Sequence, residues 1–441
     1  QLKISKRLKT LHNLKKISNF GACEIIPKKA FCKHMFANFR IRPMKLLHTS
    51  DWHIGHQLYG YDRHEEHRHF FDQLTEIAKT HRPDAMLVCG DIFDVSSPSA
   101  SASRLFTDYI LELHATVPDM LIVITSGNHD SASRTDINRN LWKSAGIHVI
   151  GSVKKVNGKF DFSDNIIRVG DKGTIVAVPY VNKAFMSFDD KSTPQEKQFF
   201  TQAAQQMSDN SLCSTTAVLM AHLTVDGFDG KGHKFGSIGN LDFVGKDTFP
   251  SIFDYVALGH IHRPQNLDKE GRIRYSGTPV AISFDEEFPH TVSIVEINKG
   301  SMPDVTEIEI NQKRDLITFP SEPTSFKKAI KSLSKLNTDE NCYIRLNVAQ
   351  ETDLPSDCEE QATNAITGKK CRYCTIKYQR ISDRTPVDSL SVLTAEEFLQ
   401  LNPLEIAQRF FTSKGVSSDS SERYLSLLSE LENELKCKES L

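Results

Sequence analysis

Long hydrophobic runs are missing from this chain. No window of its 441 residues approaches eighteen consecutive apolar positions, which predicts no transmembrane helix and no membrane partner. Net charge is almost missing too. The formal charge is −2, with 54 Lys or Arg against 56 Asp or Glu, so a uniformly basic nucleic-acid binder is excluded while a local basic groove is not. Cysteine is sparse, and the nine present are scattered and odd in number. Such a set is no disulfide framework; it suits reduced thiols and predicts a cytoplasmic location. Cys371-Arg-Tyr-Cys374 is a lone CxxC in a strand-like segment, and a zinc site would need a second pair that is not nearby. Acids are nearly absent from residues 1–43, which hold eleven Lys or Arg and only Glu24, a net +10 against −12 for the remainder. We expect Met44 to be the true start and the upstream segment to be poorly ordered. The alternative for a basic, acid-poor segment is an organelle-targeting presequence.

What is present begins with length: 441 residues exceed one ordinary core and predict two or three domains. The most informative stretch is Ala85-Met86-Leu87-Val88-Cys89-Gly90-Asp91. A short apolar run closed by Gly reads as a buried strand of a parallel sheet, with Asp91 at its carboxyl end. Open α/β sheets place their chemistry at that edge. The pattern recurs where Lys45 to Ser50 runs into Asp51-Trp52-His53, and where Met120 to Ser126 runs into Gly127-Asn128-His129-Asp130. Helices are predicted over roughly 64–81, 99–115 and 134–145, so the strands belong to βαβ units that leave one rim for a site. Later, Ala217 to Ala221 leads into His222, and Tyr255 to Gly259 leads into His260-Ile261-His262. The fold class is therefore α/β, a two-sheet sandwich flanked by helices.

Chemistry-bearing residues stop clustering beyond Ile310. We expect a site-bearing α/β domain over 44–310, a small α+β capping domain over 311–382, and a linker with C-terminal helices over 383–441. In that last part Thr394-Ala-Glu-Glu397 fits a capping box, Asn402-Pro403 fits a helix start, and Tyr424, Leu428, Leu431 and Leu435 form a narrow apolar stripe. The stripe predicts either packing on its own domain or docking of a partner.

Seven residues stand at predicted strand ends: Asp51, His53, Asp91, Asn128, His222, His260 and His262. Carboxylate, imidazole and amide oxygen form a ligand set for Mn²⁺, Mg²⁺, Fe²⁺ or Zn²⁺ rather than Cu(I). There are too many ligands for one ion and about enough for two if one carboxylate bridges, and Asp91 is placed to do so. Two ions roughly 3.5–4 Å apart clamp the attacking and leaving oxygens of a phosphoryl centre and lower the pKa of a water. Asp-x-His and Gly-Asp are individually weak signals; Gly-Asn-His-Asp and Gly-His-x-His are more specific, and their joint order is the strong one.

With these blocks the chain resembles the metallophosphoesterases, and within them the DNA-repair nuclease branch. The phrases that carry the likeness are Leu47-His-Thr-Ser-Asp-Trp-His-Ile-Gly55, Gly90-Asp-Ile-Phe-Asp94, Gly127-Asn-His-Asp-Ser131, Ala257-Leu-Gly-His-Ile-His-Arg263, and Ser276-Gly-Thr-Pro with Ser283-Phe-Asp-Glu-Glu287. The resemblance implies Asp51, His53, Asp91 and His262 at one metal, and Asp91, Asn128, His222 and His260 at the other. It implies that His129 assists phosphoryl transfer without being a ligand. It further implies two divalent ions, Mn²⁺ above all, and cleavage of double-stranded DNA from the 3′ end and of single strands internally, dependent on an ATP-using partner. Implied partners are DNA, a second copy of this chain through 99–113 and 134–145, and an SMC-like ATPase bound through the C-terminal helices, together a heterotetramer. Two departures matter. Asp94 is followed by Val95-Ser96-Ser97, so the clamping arginine of the phosphoprotein phosphatases is absent. Some nucleases of the branch also carry a histidine where Asp94 stands.

DNA would be held by phosphate contacts. Tyr59, Arg63, Arg134 and Arg263 are the residues we expect to supply them, with Tyr61 and Arg139 in support. Other residues take the plainer assignment. His48 is expected to pack in the core, His64, His67 and His69 to lie on a solvated helix, and Ser126 and Ser131 to lack a triad acid. A small-nucleotide phosphodiesterase would not need some 130 residues beyond the site, and a non-catalytic scaffold would be expected to have lost ligands.

Overall fold

The computed structural model describes residues 42–209, 215–232, 243–336 and 341–381, together with 404, 407, 408, 411 and 421–429. Two compact units divide the chain. The first comprises residues up to 318 with 338–345 and 369–374, and the second comprises 319–337, 346–368 and residues from 375 onward.

Two six-stranded sheets build the first unit. One runs Asp304–Glu309, Thr291–Ile297, Met44–Thr49, Ala85–Cys89, Leu121–Thr125, Ile147–Ile150, and its last four strands are parallel. The other runs Gln265–Asn266, Ile273–Tyr275, Tyr255–Gly259, Thr216–His222, Gly173–Ala177, Ile166–Val169. Alternating side chains explain why the strands read as unbroken apolar runs. Leu46, Leu87 and Cys89 point into a core shared with Val218, Met220 and Ala257 of the second sheet. Leu47, Met86 and Val88 point the other way, under the helices His64–His81 and Ala100–Thr116. Both faces are buried, so no polar alternation survives. Each buried Leu, Val or Ile contributes about 1.5–3 kcal/mol. The second sheet's outer face is closed by Phe199, Phe200, Ala203 and Met207 of helix Gln195–Asp209.

Register does the positioning. Thr49 pairs with Val88 and Cys89 with Thr125, so the loops carrying Asp51, Asp91 and Asn128 leave one edge side by side. His222 pairs with Gly259, which sets His222 beside His260 at the same edge of the second sheet. The α/β two-sheet sandwich expected from sequence is the observed architecture.

The expected helix over 134–145 is broken at Asn138 into Ala132–Ile137 and Arg139–Ser144. Neither piece fully buries a residue, and Trp142 of the second packs at the edge of the core against Phe106. Strands Asp315–Thr324, Cys342–Gln350 and Arg372–Arg380 form a three-stranded sheet, and the second unit adds helices Phe326–Lys335 and Cys358–Ala365. Residues 421–429 are helical with Tyr424 and Leu428 exposed. The segment 1–41, Thr394 to Glu397, Asn402-Pro403, Leu431 and Leu435 lie outside the described residues.

Candidate metal centre

Four of the seven candidate ligands sit on left-handed backbone: Asp51 at φ 54°, His53 at 47°, Asp91 at 47° and His260 at 100°. Non-glycine residues pay roughly 1–3 kcal/mol each for such conformations and keep them only where the surroundings over-determine them. Here they do. The Asp51 amide donates to the Gly90 carbonyl and the His53 amide to the Asp91 carbonyl, both at 3.0 Å. The His260 amide donates to the Asp51 carboxylate at 3.0 Å. The Asp130 carboxylate accepts from the amides of Gly127 at 2.8 Å, Phe93 at 2.9 Å and Ile92 at 3.0 Å, tying the Gly-Asn-His-Asp turn to the Gly-Asp turn. Glycine is required at two places. Gly90 has φ +83°, and a Cβ there would overlap the His222 ring, while a Cβ on Gly127 would overlap the Asp91 carboxylate.

Two triads of ligand atoms built from the expected residues form at this edge, Asp51–His53–His262 and Asp91–His222–His260, and a third, His53–Asp94–His129, shares His53; each lies within 4.8 Å internally. Asn128 completes the second: its Oδ1 is 3.0 Å from His222 Nε2 and 2.9 Å from His260 Nδ1. Asp91 joins the two, with Oδ2 at 3.3 Å from His222 Nε2 and 3.9 Å from His53 Nε2. The centre opens into a cavity of about 370 Å³ lined by His53, Asp91, Asn128, His129, His260 and His262.

Outer partners fix which nitrogen of each ring faces the centre. A carbonyl only accepts, so His222 donates Nδ1–H to the Cys89 carbonyl at 2.8 Å and turns Nε2 inward. His262 holds Nδ1 at 2.7 Å from Oε1 of Glu286, whose side chain is 1% exposed. Such a buried carboxylate behind an imidazole orients a metal ligand and raises its basicity. His129 donates Nδ1–H to the Asp94 carbonyl at 2.8 Å, and its amide donates to Asp91 Oδ1 at 2.8 Å. That leaves His129 Nε2 as the ring nitrogen not engaged by the Asp94 carbonyl, on a side chain that lines the cavity. Sequence reasoning gave Glu286 no role; its only signal was a place in the Ser283 to Glu287 phrase.

The site fits a divalent cation on its own chemistry. Both ring nitrogens of His53 are buried without a hydrogen-bond partner, at 3.4 Å from Asp94 Oδ1 and 3.9 Å from Asp91 Oδ2. Burial would lower the pKa of His53, but Asp94, Asp91 and Asp51 push it up to about 9. Burial likewise opposes His222, which Asp91 and Asp51 push up to about 9. Burial alone would raise Asp91, yet His222, His53 and His129 hold it well below the usual carboxylate range. Three carboxylates in a dry pocket call for compensating positive charge, and an ion supplies it without the protons.

The other expected residues fall in different places. Tyr59 lines the cavity and is 50% exposed. Arg63 corrects the sequence expectation of a DNA contact: it is 1% exposed, donates to the Ala281 carbonyl at 3.0 Å, lies 3.6 Å from Glu66 and sits over the Tyr343 ring. Its position at the head of helix His64–His81 aims it inward, and the buried Glu66 keeps it there. Arg134 lines a separate groove with Ile92, Phe93 and Trp142 rather than the metal cavity. Arg263 pairs with Asp229 at 2.6 Å, and Arg139 donates to the Asp164 carbonyl at 2.7 Å. His67 is buried rather than solvated, with its ring nitrogens 2.9 Å from the Arg63 carbonyl and 2.8 Å from the Trp52 carbonyl. His48 is a core histidine as expected, holding Tyr255 Oη at 2.9 Å and the Leu258 carbonyl at 3.2 Å. Ser126 donates to the Gly151 carbonyl. Cys371 and Cys374 are free thiols. Among the described residues no helix is long and apolar enough to cross a membrane.

Comparison with known proteins agrees with this geometry. The calcineurin-like phosphoesterase model matches residues 44–264, and the model of the type 5 capsule protein repressor C-terminal domain matches 312–414. The SbcD subunit of nuclease SbcCD from Rhodobacter capsulatus is 33% identical over 298 residues, covering 64% of this chain and 73% of that one. The protein of the same name from Escherichia coli K12 is 26% identical over 328 residues, covering 70% and 79%. The one from Bacillus subtilis is 28% identical over 327 residues, covering 69% and 79%.

Proposed function

The chain belongs to the calcineurin-like phosphoesterases, in the family of the SbcD subunit of nuclease SbcCD, and from that premise we propose its place in DNA processing. As a member it is a metal-dependent phosphodiesterase with a nuclease role. Our reading is narrower. It degrades double-stranded DNA from 3′ ends in dependence on an ATPase partner, and cuts single strands internally, with two Mn²⁺ ions. That partner is the SMC-like protein SbcC, and two copies of this chain act within a heterotetramer. The observation that carries the reading is the convergence of the Asp51–His53–His262 and Asp91–His222–His260 triads on one cavity, with Asp91 between them.

In this reading Asp51, His53, Asp91 and His262 hold one ion, and Asp91, Asn128, His222 and His260 hold the other. When bound, the ions supply Lewis acidity at the phosphoryl centre and a lowered pKa for water. The chain's own groups do the rest. Glu286 and the Cys89 carbonyl keep His262 and His222 in the ligating tautomer. The Asp94 carbonyl holds Nδ1–H of His129, which leaves Nε2 either to contact the phosphate or to pass the proton released by the attacking water to the leaving oxygen. Tyr59 contributes to DNA contact at the rim, with Arg134 and Arg263 as phosphate contacts farther out.

The test is cleavage of end-labelled duplex and single-stranded DNA by the purified protein, with Mn²⁺, Mg²⁺, ATP and the ATPase partner varied. We expect Mn²⁺-dependent shortening from 3′ ends of duplex only with partner and ATP. Cleavage that ignores the metal, or shortening from 5′ ends, would overturn the reading.

A further inference from the structure

Next to the metal centre the chain makes a two-residue turn with an ill-suited residue at its tip. Strands Gln57–Leu58 and Tyr61–Asp62 pair with Gln57 opposite Asp62 and Leu58 opposite Tyr61, leaving Tyr59-Gly60 as the turn. Both turn residues have positive φ, 50° at Tyr59 and 86° at Gly60. Such turns select Asn, Asp or Gly at the first position. A bulky aromatic there is an outlier. The hairpin behind the tip is packed: Leu58 is buried with Phe284 and Tyr343, and Tyr61 packs against them.

Tyr59 does not use its ring to build the core. The ring is half exposed and lines the cavity of the metal centre, in company with His53, Asp91, Asn128 and His129. Its contact with the protein is with Phe284, at 6.0 Å between centroids and a tilt of 56°. Phe284 is itself buried and braced by the Arg345 guanidinium, 5.2 Å from its ring centre. The tyrosine is thus anchored on one side and open on another, at the rim of the cavity where a phosphodiester would be cut.

We propose that Tyr59 is the stacking surface for the nucleobase beside the cleaved linkage, so that this site selects nucleic acid carrying an accessible base. The inference rests on the nuclease reading above. A flat π face beside a phosphodiester site has a general use: bases of any sequence stack on it, with alanine substitution weakening binding by roughly tenfold per base. A strained backbone and an exposed aromatic each cost folding stability, and stacking gives both a use. A base still paired in duplex is hidden from Tyr59, so duplex ends would have to open before they are cut.

The experiment uses the full chain with Mn²⁺ and two short single strands, one intact and one abasic at the nucleotide beside the cleaved linkage. For the unaltered protein the abasic strand should show a KM raised about tenfold. Tyr59→Ala and Tyr59→Asn should lose that discrimination, while Tyr59→Phe and Tyr59→Trp keep it. Because Asn tolerates positive φ, Tyr59→Asn should melt no lower than the unaltered protein, which separates stacking from a structural role. The proposal fails if Tyr59→Ala still discriminates against the abasic strand, or if Tyr59→Asn lowers the melting temperature. No cleavage of either strand by the unaltered protein would instead sink the nuclease reading on which it rests.

Discussion

Asp91 belongs to one triad and reaches the other through His53. Its Oδ2 faces His222 and His53, its Oδ1 takes the His129 amide, and its side chain is nearly inaccessible. Asp91→Ala should therefore empty both metal positions together, measured as Mn²⁺ per chain by elemental analysis. A variant that keeps one ion would refute the shared-ligand assignment. His129→Ala should keep its metal and lose cleavage by roughly 10²–10⁴-fold, the usual scale for a removed acid or base; loss of metal would make His129 a ligand. Glu286→Gln keeps the shape of the side chain but replaces a charged acceptor behind His262. Its Mn²⁺ affinity should fall by about 10–100-fold, read by titration calorimetry. An unchanged affinity would leave Glu286 with packing alone. The candidate ligands were legible in the sequence as a group because each follows an apolar run. Glu286 was not, because its role depends on meeting a histidine 24 residues earlier in the chain.

At the scale of elements, the helix His64–His81 and the hairpin before it show where pattern-based expectations stop. The helix was readable from Phe70, Leu74 and Ala78, all buried. Which way Arg63 and His67 point was not, because both are polar and sit at the helix start. Arg63 faces Glu66, which also takes the Tyr343 hydroxyl at 2.8 Å and the Arg314 guanidinium at 3.2 Å. Arg63→Ala should thus lower stability by about 3 kcal/mol, as breaking a buried pair does. The salt dependence of DNA binding, which counts phosphate contacts, should stay as it was. A reduced salt slope at unchanged stability would restore Arg63 as a DNA contact.

At the scale of the whole molecule, the site lies in the first unit while the proposed ATPase attachment lies in the C-terminal residues. Truncation after residue 390 should leave Mn²⁺-dependent cleavage of short single strands intact and abolish co-purification with the ATPase. Loss of single-strand cleavage in the truncated chain would show that the C-terminal residues serve the site itself.

By itself the sequence determined the five strands that lead to the site, their order along the chain and the candidate residues that follow each one. Apolar runs of strand length closed by Gly-Asp, Gly-Asn-His-Asp and Gly-His-x-His leave little freedom in what they build, since the apolar pattern that marks a strand is local to each run. Only the tertiary structure decided which ligand meets which, which ring nitrogen faces the centre, and which polar residues are buried. Those outcomes depend on register between strands and on packing between sheets, which bring together residues more than 220 apart in sequence, as Thr278 Oγ1 meets the Asp51 carbonyl and Ser50 meets Ser276. No pattern within a single segment encodes them.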